Sequence, residues 1–244
     1  MPDTALMKLR RNPGTAIALV LASHPLESLS IAAGVAVAAA VSGRSLREVA
    51  LVLATVLVGR ITAGWLNDVA DRERDVAAER SEKPLARDWV HPGTVTFAVA
   101  CATCVLVPLS VSNGTTAGII FLVSVAVSWL YNTRIKLTAL SWVPWAVSFG
   151  LYPSFLSYGG WGGGSHGGPA TPLMSVLAAL LGVGVHFLLA LPDLVGDNHN
   201  GVKSLPVRVA LRIGAPKLLG VTTAYLVLVT AGLVVAGLTV GLYQ

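Results

Sequence analysis

Charge is what this sequence has least of. Asp, Glu, Lys and Arg make up 12% of its 244 residues, about half of the roughly 25% carried by soluble domains. With 54% hydrophobic residues and a mean hydropathy of +0.72, that scarcity excludes a water-soluble globule, because a core of this size could not hide so much apolar surface. Cysteine is nearly absent too. Cys101 and Cys104 form a C-x-x-C with no partner ligands nearby in sequence, so they read as two small apolar residues on one helix face, not a metal or redox pair. Alternation of apolar and polar residues is missing from the hydrophobic runs, which disfavours a membrane β-barrel. No small-residue cleavage site follows the first apolar run, which carries His24, Pro25 and Glu27, so no removable signal peptide is expected.

What is present are apolar runs of membrane-crossing length. About 20 apolar residues span a hydrocarbon layer of about 30 Å, and seven stretches qualify: 24–42, 47–66, 92–111, 114–131, 139–158, 172–192 and 214–242. The expected fold class is all-α: a polytopic membrane bundle of about seven transmembrane helices. The expected organisation is an N-terminal tail, 1–23, followed by one transmembrane domain, 24–244. Basic residues cluster in alternate loops. Lys8, Arg10 and Arg11 precede the first run; Arg72, Arg74, Arg80, Lys83 and Arg87 follow the second. Arg134 and Lys136 follow the fourth, and Lys203, Arg208 and Arg212 the sixth. The positive-inside rule then places the N-terminus and these loops in the cytoplasm, with the C-terminus outside a cell (cytoplasmic) membrane. The net charge of +5 follows from this asymmetry, and no nucleic-acid partner is implied. The glycine-rich stretch 158–169 reads as an external spacer.

Against this background NDVADRERD, residues 67–75, is abrupt. If the second helix continues through it, Asp68, Asp71 and Asp75 fall within about 60° of one another at 100° per residue. Arg60 lies on the same face, two turns deeper. Converging carboxylates repel, more so near a low-dielectric boundary, and a divalent cation removes that repulsion. Hard oxygen ligands at this spacing suit Mg²⁺, which commonly binds carboxylates together with substrate phosphate oxygens. A second acidic pair, Asp193 and Asp197, ends the sixth run at the same expected level, with His186 seven residues before it. Lys83 follows the first cluster and Lys203 the second, while Arg134 and Lys136 add positive charge after Tyr131. Carboxylates for a metal with interleaved cations describe a diphosphate site.

The run RITAGWLNDVADRERDVAAERSEKPLA resembles the first aspartate-rich motif of the UbiA intramembrane prenyltransferases, N-D-x-x-D-x-x-x-D. That motif has an arginine seven residues upstream and a basic residue plus proline downstream, here Arg60 and Lys83–Pro84. LPDLVGDNHNGVKSLPVRVA resembles the family's second motif, and YNTRIK its tyrosine-plus-basic stretch. The resemblance covers about residues 20–215. It implies a helical bundle around a central cavity that opens sideways to lipid. It implies that Asn67, Asp68, Asp71, Asp75, Asp193 and Asp197 hold Mg²⁺, with Asp68, Asp71, Asp193 and Asp197 central to catalysis. Asn67, Arg60, Lys83, Arg134, Lys136 and Lys203 would contact the diphosphate of a polyprenyl donor. The expected reaction is Mg²⁺-dependent prenyl transfer to an unidentified acceptor through an allylic carbocation, with Trp142, Trp145, Phe149 and Tyr152 spaced to face it. Two departures stand out: the family usually has nine membrane helices, and His24 lies where relatives often carry arginine. A UbiA-type terpene cyclase, a non-catalytic partner on a decayed scaffold and a transporter remain open, as does a homo-oligomer.

Overall fold

The computed structural model describes residues 13–80, 82–132, 134–160 and 167–241. The tail residues Lys8, Arg10 and Arg11, and 161–166 of the glycine-rich stretch, lie outside the described residues. Every apolar run becomes a helix. In chain order these are α1 (Thr15–Ala22), α2 (Pro25–Val41), α3 (Leu46–Ala77), α4 (Pro92–Ser112), α5 (Thr115–Tyr131), α6 (Val143–Tyr158), α7 (Pro172–Ala190), α8 (Leu194–His199), α9 (Leu205–Ile213) and α10 (Ala215–Thr239). Among the described residues there is no β-strand.

Helix starts follow ordinary capping chemistry. Ser45 and Glu48 form a capping box that opens α3, and Thr171 accepts from the Met174 N–H at the start of α7. Proline occupies the first turn of α2, α4 and α7, where its missing N–H has no intrahelical partner to lose.

The chain is a multi-pass membrane protein. α3, α4, α10 and the α7–α8 unit are long and apolar enough to cross a membrane; α1 with α2, bent by 56° at their junction, makes a fifth span if counted as one. α5 and α6, with 17 and 16 residues, fall short of the length expected for lone spans and are held by their neighbours. Consecutive helices from α2 to α7 pack on one another, α3 also meets α5, and α10 lies against α7. The core draws Val35 and Ala39, Val52 and Val56, Leu106, Phe121 and Val125, and Trp145, Phe149, Tyr152 and Phe155 from five successive helices.

Two features place the acidic segments. α3 has 32 residues, roughly 48 Å at 1.5 Å per residue, against about 30 Å of hydrocarbon. Its end therefore projects beyond the apolar layer, with Asn67–Asp75 still helical, which meets the condition under which the aspartates share a face. The second feature is that the expected tail boundary at 24 falls inside structure. TAIALVLA, residues 15–22, is apolar after Thr15 and forms α1, which Trp65 Nε1 ties to α3 by donating to the Leu19 carbonyl at 2.8 Å. At Gly64 a β-carbon would stand 2.7 Å from the Ser23 carbonyl oxygen, so glycine permits the close approach of α3 to the α1–α2 junction. His24 occupies that junction in the left-handed region, φ 52°. Ser28 Oγ donates to the Ser23 carbonyl at 2.8 Å and satisfies a group the break leaves open.

Candidate functional site

Asp68 is the most deeply placed of the acidic residues, 1% exposed. Its Oδ1 lies 2.7 Å from Lys83 Nζ and 2.8 Å from His24 Nε2, and His24 Nε2 and Lys83 Nζ are 3.1 Å apart. Its Oδ2 is buried without a partner. An orphaned carboxylate oxygen is costly in a low-dielectric setting. One turn on, Asp71 Oδ1 meets Lys136 Nζ at 2.5 Å and also pairs with Arg74. Lys136 further donates to Asn67 Oδ1 at 3.1 Å. Asp75 is half-buried, in the field of Lys83, Arg80 and Lys136.

Lys136 arrives from a different part of the chain. α5 ends at Tyr131 and a 3-10 turn, Arg134–Leu137, follows. Asn132 Nδ2 donates to the Ala63 carbonyl at 2.9 Å, and Trp129 Nε1 to Thr62 Oγ1 at 3.1 Å. These bonds pin the end of α5 to the middle of α3 and push Lys136, 8% exposed, onto the aspartate face. Burial, helped by Arg74 and Lys83, pulls its ammonium down to about 7; Asp75 and Asp68 pull the other way, as does contact with Asp71.

The second acidic segment differs from a simple helix end. Pro192 interrupts α7, which tightens into a 3-10 turn, Leu191–Asp193, before α8 restarts at Leu194; proline cannot continue the α-helical hydrogen-bond ladder. Asp193 thus sits in the turn, with Asp197 on α8. Arg80 joins the two segments: its Nη2 lies 2.5 Å from Asp193 Oδ1 and its Nε 2.6 Å from Glu82. Burial works against the Arg80 charge, but Asp193 and Glu82 outweigh it and hold the guanidinium above its ordinary range. Asp75 and Asp197 both lie in the field of Arg80 and Lys136. Backbone contacts fix the arrangement: the Lys203 N–H donates to the Leu137 carbonyl at 3.1 Å, and Ser141 Oγ accepts from the Leu205 N–H while meeting His186 Nε2 at 3.0 Å.

Of the predicted residues, Asn67, Asp68, Asp71, Asp75, Lys83, Lys136, Asp193 and Asp197 gather at this end of the bundle. Arg134 and Lys203 are exposed, and among the described residues no side-chain contact joins either to the aspartates. Arg60 goes elsewhere: it pairs with Glu27 and lies 5.1 Å over the Trp145 ring, not against the acidic face its heptad spacing suggested. Arg80 carries a bridging position that its place in a basic run did not reveal. The His24–Asp68 contact joins residues 44 apart, beyond the reach of any spacing rule.

The donor set suits Mg²⁺ in kind, being oxygen throughout with the orphaned Asp68 Oδ2 at its centre. Its arrangement does not place three ligands together: among the described residues no three Asp, Glu, His or Cys side chains converge enough to hold an ion. The carboxylates hold Lys83, Lys136, Arg74 and Arg80 instead. These cations would have to turn away for a metal to be held by Asp68, Asp71 and Asp193.

A family model described as the UbiA prenyltransferase family matches residues 28–243. The solved structure of a UbiA homolog from Archaeoglobus fulgidus bound to DMAPP and Mg²⁺ superposes with a TM-score of 0.68 at 16% identity, covering 88% of this chain and 75% of that one. At that identity the likeness is one of fold. No curated relative matches the chain by sequence.

Proposed function

The chain belongs to the UbiA prenyltransferase family, and on that premise we propose that it transfers a polyprenyl group from a polyprenyl diphosphate to an acceptor at the α3–α7 end of the bundle. One observation carries this reading: two acidic segments far apart in sequence meet around Lys83, Lys136 and Arg80, each of them a cation already sharing a carboxylate oxygen. Such cations exchange one anion for another at little cost, so a diphosphate takes the lysines and arginine while the aspartates pass to metal. Asn67, Asp68, Asp71, Asp75, Asp193 and Asp197 would hold Mg²⁺, which when bound neutralises charge on the departing diphosphate. The binding of DMAPP and Mg²⁺ by the similarly folded archaeal protein supports the same pairing of ligand and ion.

The chain's own residues do the rest. Lys83 and Lys136 fix the diphosphate at the mouth of the bundle and stabilise the charge that grows on it. The aromatic face of α6, joined by Phe121 of α5, continues inward: Trp145 and Phe149 centroids are 6.0 Å apart, Phe149 and Tyr152 5.3 Å, and Phe121 and Phe155 5.0 Å. These rings offer π faces to an allylic cation and an apolar wall that excludes water. Gly182 lets α7 approach the Trp145 carbonyl, where a β-carbon would meet it at 2.5 Å. A central cavity opening to lipid, a cytoplasmic placement of the acidic end and a polyprenyl rather than a short donor belong to this proposal.

The test is incubation of the purified protein with Mg²⁺ and prenyl diphosphates of several lengths, with and without candidate acceptors, followed by mass spectrometry. Prenylated acceptor supports the reading. A cyclic hydrocarbon formed without acceptor makes the protein a cyclase, and no Mg²⁺-dependent product from any donor refutes both.

A further inference from the structure

Below the acidic layer lies a second polar group that the diphosphate does not need. Arg60 is eight residues before Asp68 on α3, roughly 12 Å deeper along the helix, and it is 9% exposed. It pairs with Glu27 of α2 and stacks over Trp145 of α6. Two N–H donors here have no partner: Arg60 Nε and Trp145 Nε1. The Tyr131 ring meets Trp145 edge-on at 5.8 Å, with its hydroxyl near the indole N–H. Glu27, by contrast, keeps 24% of its side chain accessible.

A buried ion pair is weak evidence for stability, because desolvating two charges offsets their attraction. Ionisable residues inside a membrane bundle point to function by default. The group offers a carboxylate oxygen able to accept a hydrogen bond and N–H donors awaiting an acceptor. A hydroxyl supplies one of each, a bare aromatic C–H supplies neither.

We propose that Glu27, with Arg60 and Trp145, forms the acceptor site, and that Glu27 is the base that receives the proton from a hydroxyl-bearing, largely apolar acceptor. This rests on the prenyl-transfer reading of the acidic end. The step balances. The bond from the donor's C1 to the diphosphate oxygen breaks, and its electron pair leaves with the diphosphate. A lone pair of the acceptor oxygen forms the new C1–O bond, the electrons of the O–H bond remain on oxygen, and the proton passes to a Glu27 carboxylate oxygen and later to water. Arg60 Nε–H holds the acceptor oxygen, and Arg60 keeps Glu27 in place. Asp68, Asp71 and Asp193 are unsuited to this task, since the transfer reading commits each of them to the metal.

The experiment uses the full chain in lipid nanodiscs, with geranyl diphosphate and Mg²⁺ as donor system and 4-methylphenol and 1-octanol as hydroxyl probes. Ether product is measured by mass spectrometry, donor affinity by calorimetry and folding by thermal unfolding. Wild type forms ether from at least one probe. Glu27→Gln lowers kcat for ether at least about 100-fold, the range of a lost general base, with donor Kd unchanged, and Glu27→Asp restores part of the rate. Arg60→Lys retains the charge but loses the Nε donor, so it raises the probe's KM about tenfold with donor Kd unchanged; it decides the matter if Glu27→Gln does not fold. Wild-type ether formation by Glu27→Gln, loss of donor affinity in step with the rate, or donor consumption by wild type without ether from either probe overturns the proposal. Failure of wild type to bind donor with Mg²⁺ refutes the transfer reading instead.

Discussion

The Asp68–Lys83 pair separates stability from catalysis in a way that a double variant reads directly. Asp68→Asn keeps an oxygen for Lys83 Nζ, now 2.7 Å away, and for His24 at 2.8 Å, but removes the negative charge. Lys83, whose side chain is 14% exposed, then loses its direct ion-pair partner in a low-dielectric site. Removing one partner of a buried pair costs about 3–5 kcal/mol; the retained acceptor oxygen and partial exposure of Lys83 reduce this to about 2–3 kcal/mol. For a chain of this size that lowers the unfolding midpoint by about 5–10 °C. Lys83→Met in the same background removes the stranded charge and preserves the apolar stem, so Asp68→Asn/Lys83→Met recovers most of the loss, a coupling of about 2 kcal/mol. Activity does not recover, because the double variant lacks both the carboxylate proposed for the metal and the cation proposed for the diphosphate. Thermal unfolding in detergent gives the first quantity and prenyl transfer the second. A double variant no more stable than Asp68→Asn, or one that turns over, refutes the reasoning.

Arg80→Gln removes the link between the acidic segments and raises the KM for prenyl diphosphate about tenfold, the worth of one charge-assisted hydrogen bond of about 1.4 kcal/mol; steady-state kinetics checks it, and an unchanged KM sinks the bridging role. Gly64→Val drives a side chain against the Ser23 carbonyl and destabilises by about 1–3 kcal/mol, visible as a lower midpoint in thermal unfolding; wild-type stability would mean that the α1–α3 approach is looser than described. Lys136 supplies a pH test. Its folded-state pKa is lowered from 10.5 to about 7, so between these values the unfolded chain holds the extra proton and stability rises with pH, by at most about 1.4 kcal/mol per unit. Lys136→Met removes that part of the rise; an unaltered pH slope contradicts the burial that lowers this ammonium.

Much of the fold was legible because membrane helices announce themselves by length and apolarity, and each of the seven runs became a helix. Helical phase brought Asp68, Asp71 and Asp75 to one face on the condition that the second run stays helical through Asp75, and α3 does. Other features depend on how helices rotate against one another, which one-dimensional spacing does not encode. Arg60 shares a heptad face with Asn67, yet the long side chain turns to Glu27 of α2 and the Trp145 ring. Arg80 looked like one more loop cation until the turn at Pro192 placed Asp193 against it. The residues before 24 read as tail because the basic start of the chain masked TAIALVLA, an apolar segment too short to register as a span by itself.

On the proposed reading, the acidic end binds a prenyl diphosphate through Mg²⁺. Calorimetric titration of the detergent-solubilised protein with a prenyl diphosphate, in Mg²⁺ and again in excess chelator, tests it most directly, with Asp68→Ala and Asp193→Ala as comparisons. The account predicts saturable binding in Mg²⁺ that is lost with chelator and in both variants, while each variant still unfolds cooperatively. Equal affinity with and without Mg²⁺, or undiminished binding in either variant, would contradict it.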